Sequence, residues 1–168
     1  MRERIISVAG ELIDELGIKF TMSDLAARMA VSKHTLYEYF HSKEELISAI
    51  VDSFLLEVNQ RHRKIIQDEK LTLADKIKSL TFIYPMEQIS HISRLLSDLH
   101  HYYPEERAKV ERYREEFWQL LVATIFREGV ESNYFKSVNP AILQMLYNGI
   151  TDQLLNNGFR FLPQNNIT

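Results

Sequence analysis

Three adjacent residues that can all form hydrogen bonds, Lys33, His34 and Thr35, stand at the start of a short segment with helical apolar spacing. A Lys ammonium can donate to the guanine acceptors of the DNA major groove. The hydroxyl of Thr35 can bond a phosphate, and its methyl group can contact a thymine methyl. These groups suit the recognition of a DNA groove better than catalysis.

The side chains that follow divide between an inner and an outer side. Leu36 and Phe40 are one helical turn apart and are predicted to face inward. Tyr37 and Tyr39 lie off that stripe, so their hydroxyls can reach a sugar-phosphate backbone. Lys43 stands in the first turn of the next helix, where a cation opposes the helix dipole. A phosphate contact would explain that placement.

The elements that position these residues are predicted from capping signals. Thr21 and Asp24 have the spacing of a helix N-terminus, and Ser42 with Glu45 forms a complete capping box. Between them, residues 30–32 form a tight turn in which Ser32 caps the helix that carries Lys33. A helix, a short turn and a second helix are the helix-turn-helix arrangement. An apolar stripe over residues 5–16, ended by Gly17, predicts a first helix that packs across this pair.

The run from Val31 to Leu46 resembles the DNA-binding domain of the TetR family of bacterial transcriptional regulators through the pattern V-S-x-x-T-L-Y-x-Y-F-x-S-K-E-E-L. Two positions depart from the family pattern: Ala30 stands where Gly is usual in the turn, and His34 where a small residue is usual. The resemblance implies base-proximal positions for Lys33, His34 and Thr35. It implies backbone-contacting positions for Thr35, Tyr37, Tyr39 and Lys43.

The whole chain is predicted to be all-α. The resemblance implies an N-terminal three-helix helix-turn-helix DNA-binding domain, residues 1–48, and a C-terminal helical ligand-binding and dimerisation domain, residues 49–168. Further helices are predicted over residues 42–67, from Thr72, over residues 87–101, from Pro104 and from Pro140. The basic run at residues 61–64 is interpreted as a solvated face of the long helix.

Composition and motifs exclude several classes of protein. The chain has no Cys, so it has neither disulfides nor a thiolate metal site. It carries no Gly-rich phosphate loop and no G-x-S-x-G motif, so we expect neither an enzyme nor a cofactor. Asp98, His101 and Glu105 have a spacing that a metal can use, but Pro104 interrupts it, and we interpret them as surface residues.

Charge and hydropathy bear on location and on partners. Because the chain has neither an apolar leader nor an 18-residue apolar run, we expect a cytoplasmic protein with no membrane partner. The resemblance to the TetR family further implies a bacterial, nucleoid-associated protein. The net charge is −3, and residues 1–50 hold six Lys/Arg against eight Asp/Glu. Overall charge therefore gives no support for DNA binding, and we expect weak non-specific affinity with a modest salt dependence.

The last two long helices are predicted to be apolar on more than one side, whereas a surface helix of a monomer needs one apolar face. This pattern favours a four-helix interface with a second copy, which is also where the TetR family dimerises. Burial of both helices in the centre of one chain is the alternative. A homodimer would carry two heads and would read a palindromic operator in double-stranded DNA.

The resemblance also implies a small-molecule effector, of unknown identity, bound among the C-terminal helices. Aromatic or flexible side chains on those helices are the candidates: Phe82, Tyr84, Met86, Leu99, Tyr102, Tyr103, Phe117, Trp118 and Tyr147. For each of them, a role in the core is the more common explanation of an aromatic residue or Met at helical spacing.

The function predicted from the sequence is that of a DNA-binding transcriptional regulator, most simply a homodimeric repressor released from its operator by a ligand. The alternative is a protein of the same fold that does not bind DNA and acts as a coactivator of another protein. The acidic balance of residues 1–50 keeps that alternative open.

Overall fold

The computed structural model describes residues 1–81, 86–137 and 139–157, with side chains described for residues 1–80, 94–137 and 139–149. The described residues form helices and connecting turns, and the predicted all-α class is confirmed. The helices are α1 (Arg2–Leu16), α2 (Met22–Met29), α3 (Lys33–Tyr39), α4 (Lys43–Gln67), α5 (Leu73–Thr81), α6 (Met86–Tyr102), α7 (Pro104–Leu121), α8 (Arg127–Glu131) and α9 (Pro140–Asn157). A π-helical segment, Val122–Phe126, joins α7 to α8.

The predicted caps begin α2 and α3. The Thr21 hydroxyl accepts from the Asp24 amide at 3.2 Å, and the Asp24 carboxylate accepts from the Thr21 amide at 2.7 Å. At α3, the Ser32 hydroxyl accepts from the backbone amide of Thr35 at 3.0 Å. These bonds satisfy amides that have no partner inside the helix.

The capping box predicted at the start of α4 is correct in one half only. The Ser42 hydroxyl accepts from the Glu45 amide at 3.1 Å. The Glu45 carboxylate, however, accepts from the amide of His41 at 2.7 Å rather than from that of Ser42. The glutamate therefore holds the connection that leaves α3 as well as the helix that it begins.

The turn between α2 and α3 does accept a side chain at Ala30, which has φ 54° and ψ 42°. Such left-handed backbone costs a residue with a Cβ about 1–2 kcal/mol, which is why glycine is favoured there. Gly17 ends α1 with φ 77° and ψ 179°. The φ of Gly17 is positive, a conformation that favours glycine, but its ψ lies outside the left-handed helical region in which many helices end.

The first three helices and the start of α4 enclose one apolar core, and this core continues beyond them. Ile5, Leu25, Leu36 and Phe40 have no exposed surface, and Leu99 of α6 and Val110 of α7 belong to the same cluster. We call α1 to α3 with the start of α4 the head, and the remaining helices the body. The domain boundary predicted at residue 48 therefore falls within continuous packing, and it stays a prediction.

A second core lies in the body. It is built on four buried side chains of α7 and the π-helical segment: Phe117, Trp118, Leu121 and Ile125. Side chains of α4, α5 and α9, among them Ile66, Ile77 and Leu143, pack against it. Both apolar sides of α7 are thus largely covered within one chain.

None of the helices in the described ranges is long and apolar enough to cross a membrane.

Candidate nucleic-acid interface

Helix α3 has one buried face and one exposed face, as the spacing of its residues predicts. Leu36 and Phe40 are completely buried, whereas 43% of Tyr37 and 39% of Tyr39 are exposed. Lys33 and His34 are exposed at the first turn of the helix. The short helix therefore offers a polar surface to a partner while its other side belongs to the head core.

Two of the candidate base-reading residues have contacts within the head. The Thr35 hydroxyl lies 2.9 Å from the Ser32 hydroxyl, and Thr35 is half-buried. Nε2 of His34 lies 3.6 Å from Oε1 of Glu38, one turn further along α3. Both members of this second pair are exposed, so the contact leaves His34 accessible. Roles of these side chains in DNA contact stay predictions.

Lys43 has a different environment from the one its sequence position suggested. Its Nζ donates to the carbonyl oxygen of Ile18 at 2.6 Å and lies 4.7 Å from the centre of the Phe20 ring. Burial lowers the pKa of this ammonium group. The contact with the α1–α2 connection explains why a cation stands at the start of α4 without requiring a phosphate.

Both backbone polar groups of Ile18 form hydrogen bonds to side chains. Its amide donates to the Asp98 carboxylate of α6 at 3.3 Å, while its carbonyl accepts from Lys43. Beside it, Nζ of Lys19 lies 4.9 Å from the centre of the Tyr102 ring. The α1–α2 connection is therefore one of the places where α6 of the body contacts the head.

The candidate ligand-binding residues do not form one group in the described part of the chain. Leu99 is buried in the head core, and Tyr102 and Tyr103 line a groove of about 350 Å³ together with Ile18, Lys19, Lys43 and Glu44. In the body core, Tyr147 is stacked on Trp118 with ring centres 5.6 Å apart, and Phe117 is buried nearby. Phe82 and Tyr84 lie outside the described residues, as does the side chain of Met86. Ligand binding by any of them stays a prediction.

The residues considered for a metal site do not converge either. Asp98 accepts from the amide of Ile18, and Nδ1 of His101 lies 2.8 Å from the carbonyl of Ser97. Over the ranges described, no cluster of three or more His, Cys, Asp or Glu has metal-binding geometry.

The interpretation of residues 61–64 as a solvated face is wrong for His62. Only 6% of His62 is exposed, its ring is stacked on Phe117 at 3.7 Å, and Nδ1 lies 2.6 Å from the Tyr113 hydroxyl. Burial lowers the pKa of His62 to about 4 and raises that of Tyr113. The signal was present in the sequence, because the four-residue apolar spacing that includes Phe54 and Val58 continues to position 62.

Lys76 is a second charged residue of the body that the sequence analysis missed. It is 9% exposed and shares one face of α5 with Leu73, Ile77 and Leu80, which pack against the body core. Within the described ranges it has no ion pair. Buried lysines are uncommon without a charged partner.

Comparison with known proteins assigns the family. The profile of the family described as "Bacterial regulatory proteins, tetR family" matches residues 5–50. The chain is 30% identical over 154 residues to YvaF of Bacillus subtilis, an HTH-type transcriptional regulator, covering 92% of this chain and 80% of that protein. The chain belongs to the TetR family of bacterial transcriptional regulators.

Two other TetR-type proteins extend the comparison. KstR2 of Mycobacterium tuberculosis, named as a transcriptional repressor, is 26% identical over 147 residues, which cover 80% of this chain and 69% of that protein. Its solved structure, that of a ketosteroid transcriptional regulator, matches with a TM-score of 0.66 over 97% and 84% of the two chains. The structure of PfmR from Thermus thermophilus matches with a TM-score of 0.72, at 24% identity, over 98% and 89%. These relatives are transcriptional regulators and not enzymes.

Membership of the TetR family makes this chain a DNA-binding transcriptional regulator, and the different environments of Lys33 and Lys43 predict different effects of removing them. Lys33→Ala should weaken binding to a selected DNA site by about 1–3 kcal/mol and relax the preference at one base pair. Its free energy of unfolding should stay within about 0.5 kcal/mol of the wild type, because the side chain is exposed. Binding titrations and urea unfolding measure the two effects.

Lys43→Ala should instead lower the free energy of unfolding by roughly 1–2 kcal/mol, because it leaves the Ile18 carbonyl without its charged donor. Urea unfolding alongside Lys33→Ala checks this. An unchanged stability, together with a salt slope of DNA binding reduced by about one, would show that Lys43 acts as a phosphate contact instead.

The burial of His62 predicts a pH dependence of stability. The unfolded chain binds a proton at this residue below pH about 6.5, whereas the folded chain keeps it neutral down to pH about 4. Stability present above pH 6.5 is therefore lost as the pH falls, by about 2 kcal/mol between pH 7.5 and 5.0. Urea unfolding at these pH values should show this loss in the wild type and a correspondingly smaller loss in His62→Phe. Equal losses in the two proteins would refute the assignment.

Proposed function

We propose that the protein is a repressor that binds a palindromic operator as a homodimer and is released by a small-molecule ligand. In this proposal residues 1–48 bind DNA, and residues 49–168 dimerise and bind the ligand. The observation that carries DNA reading is the exposed polar face of α3, with Lys33, His34 and Tyr37 directed away from a buried apolar face. A helix of this kind can enter the major groove while its inner face stays in the head core.

The homodimer is supported by an exposed apolar face on α9. Ile142, Met145 and Leu146 are 56%, 77% and 57% exposed, and their i, i+3, i+4 spacing places them on one side of the helix. Leu143, on another side, packs against the body core. A second copy would cover this face with the same face of its own α9, as a two-fold dimer requires.

A two-fold dimer carries two copies of α3 related by the same symmetry. Each copy reads one half-site, so the matching DNA sequence is a palindrome with half-sites about one helical turn apart or a multiple of it. KstR2 is named as a transcriptional repressor, and its similarity to this chain supports repression as the output here.

Ligand release is supported by the polar groups enclosed in the body core. The hydrogen-bonded His62–Tyr113 pair lies against Phe117, and Lys76 is buried on the core-facing side of α5. Apolar walls with a few polar groups are typical of small-molecule sites. We therefore place the effector beside Phe117, Trp118 and Tyr147. It must bind the form of the dimer that does not bind DNA more tightly than the form that does.

Selection from a random DNA library by the purified full-length protein, at near-physiological salt, tests the proposal. We expect a discrete palindrome to be enriched by the wild type. The double variant Lys33→Ala/Tyr37→Phe should not enrich it, because it lacks a base donor and a backbone donor on the outer face of α3. In a control without added library, the tagged protein is taken through the same steps, so that any DNA carried over from purification is detected.

Enrichment of a single, non-repeated half-site would contradict the dimer. Absence of any enriched sequence, repeated after denaturation and refolding to remove carried-over ligand, would favour the coactivator alternative. The acidic balance of residues 1–50 is the feature that makes that alternative worth testing.

The dimer interface has its own test in two leucines of similar exposure. Leu146 of α9 is 57% exposed and Leu56 of α4 is 59% exposed. Leu146→Glu should convert the dimer to a monomer, because it places a charge in the apolar interface, and should abolish palindrome binding. Leu56→Glu should remain dimeric. Light scattering after size-exclusion chromatography measures the mass, and a dimeric Leu146→Glu protein would contradict this interface.

A further inference from the structure

Several cationic side chains of the head already interact with other groups of the protein. Nη1 of Arg28 donates to Oε1 of Glu15 at 3.0 Å. The ammonium group of Lys43 is bonded to the Ile18 carbonyl, and that of Lys19 lies over the Tyr102 ring. These three cations have a partner before any DNA arrives.

The other three Lys/Arg residues of positions 1–50 are Arg2, Arg4 and Lys33, and all are exposed. Among the residues that the structure describes, none of the three has an ion pair. They are therefore the charges that the head can offer to a polyanion. Because residues 1–50 carry more acidic than basic groups, the position of these cations matters more than their number.

Arg2 lies beside the C-terminal end of α3. Its guanidinium carbon lies 4.6 Å from the centre of the Phe40 ring, and Phe40 directly follows the last residue of α3. Lys33 is the first residue of the same helix. A seven-residue helix is about 10 Å long, so unpaired cations stand at both of its ends.

The position of the guanidinium over the ring leaves Arg2 able to bind an anion. A guanidinium plane can cover an aromatic ring with one face while its edge donates hydrogen bonds to a phosphate. Phe40 is fully buried in the head core, so the ring that supports Arg2 is fixed in position. The charge is thereby held near α3 at a lower entropic cost than that of a free side chain.

We propose that Arg2 contacts a DNA phosphate beside the C-terminal end of α3, and that it supplies backbone affinity without reading sequence. The inference rests on the proposed function, in which α3 lies in the major groove. A helix in that groove has phosphates along both of its walls, and contacts to them orient the protein without distinguishing bases.

The dependence of operator binding on salt concentration tests this proposal with the full-length protein. Each phosphate contact contributes about 0.9 to the slope of log K against log[salt]. Arg2→Ala should therefore lower the slope by about one and weaken binding roughly eightfold at 0.1 M salt. Affinity for unrelated DNA should fall by the same factor, so the ratio of specific to non-specific affinity stays constant.

Two variants separate this role from net charge and from folding. Arg28→Ala changes the net charge by the same amount but removes a cation already paired with Glu15, so its slope should stay that of the wild type. Arg2→Lys keeps the charge beside Phe40 and should keep the slope. Circular dichroism and urea unfolding establish that each variant is folded.

If the wild-type protein binds its palindrome and folded Arg2→Ala shows an unchanged salt slope, this inference is overturned and the proposed function is not. An equal loss of slope in Arg28→Ala would overturn it too, because the effect would then belong to net charge. A wild-type protein that binds no DNA would overturn the proposed function and this inference with it.

Discussion

Burial of Leu36 and Phe40 beneath α3 is the interaction on which the rest of the head depends. A seven-residue helix is far below the roughly 12–15 residues at which isolated helices become marginally stable. Full burial of a Leu or Phe side chain contributes roughly 1.5–3 kcal/mol each, so two such anchors can hold the helix in place. The same anchoring fixes which side chains of α3 face outward and gives Arg2 a rigid ring to lie against.

The α1–α2 connection of the head forms hydrogen bonds with both α6 of the body and α4. Ile18 donates to Asp98 of α6 and accepts from Lys43 of α4, and the head core continues into Leu99. A displacement of α6 would therefore change contacts that hold the α1–α2 connection against α4. In the proposed function, this connection is the route by which ligand binding in the body alters the orientation of α3.

Local signals predicted much of this molecule, and long-range contacts account for what they missed. The caps at Thr21 and Ser32 and the inward pair of α3 follow from neighbouring residues, so the sequence was sufficient for them. The partner of Lys43 is an Ile18 carbonyl 25 positions away, and that of His62 is a Tyr113 hydroxyl 51 positions away. Helical spacing relates residues three or four positions apart, so it cannot predict contacts over such sequence separations. For the same reason, the described aromatic residues that were predicted to bind a ligand lie in two groups, one in the groove beside the head and one in the body core.

Hydrogen exchange of the protein bound to its selected palindrome tests the central claim, that the outer face of α3 reads DNA. The measurement compares peptides from the free protein, from the palindrome complex and from a mixture with scrambled DNA of equal length. We predict that amides of residues 32–41 exchange more slowly with the palindrome than with the scrambled DNA, and that those near Arg2 are slowed by both. Protection confined to the body, with exchange in α3 unchanged, would contradict the account.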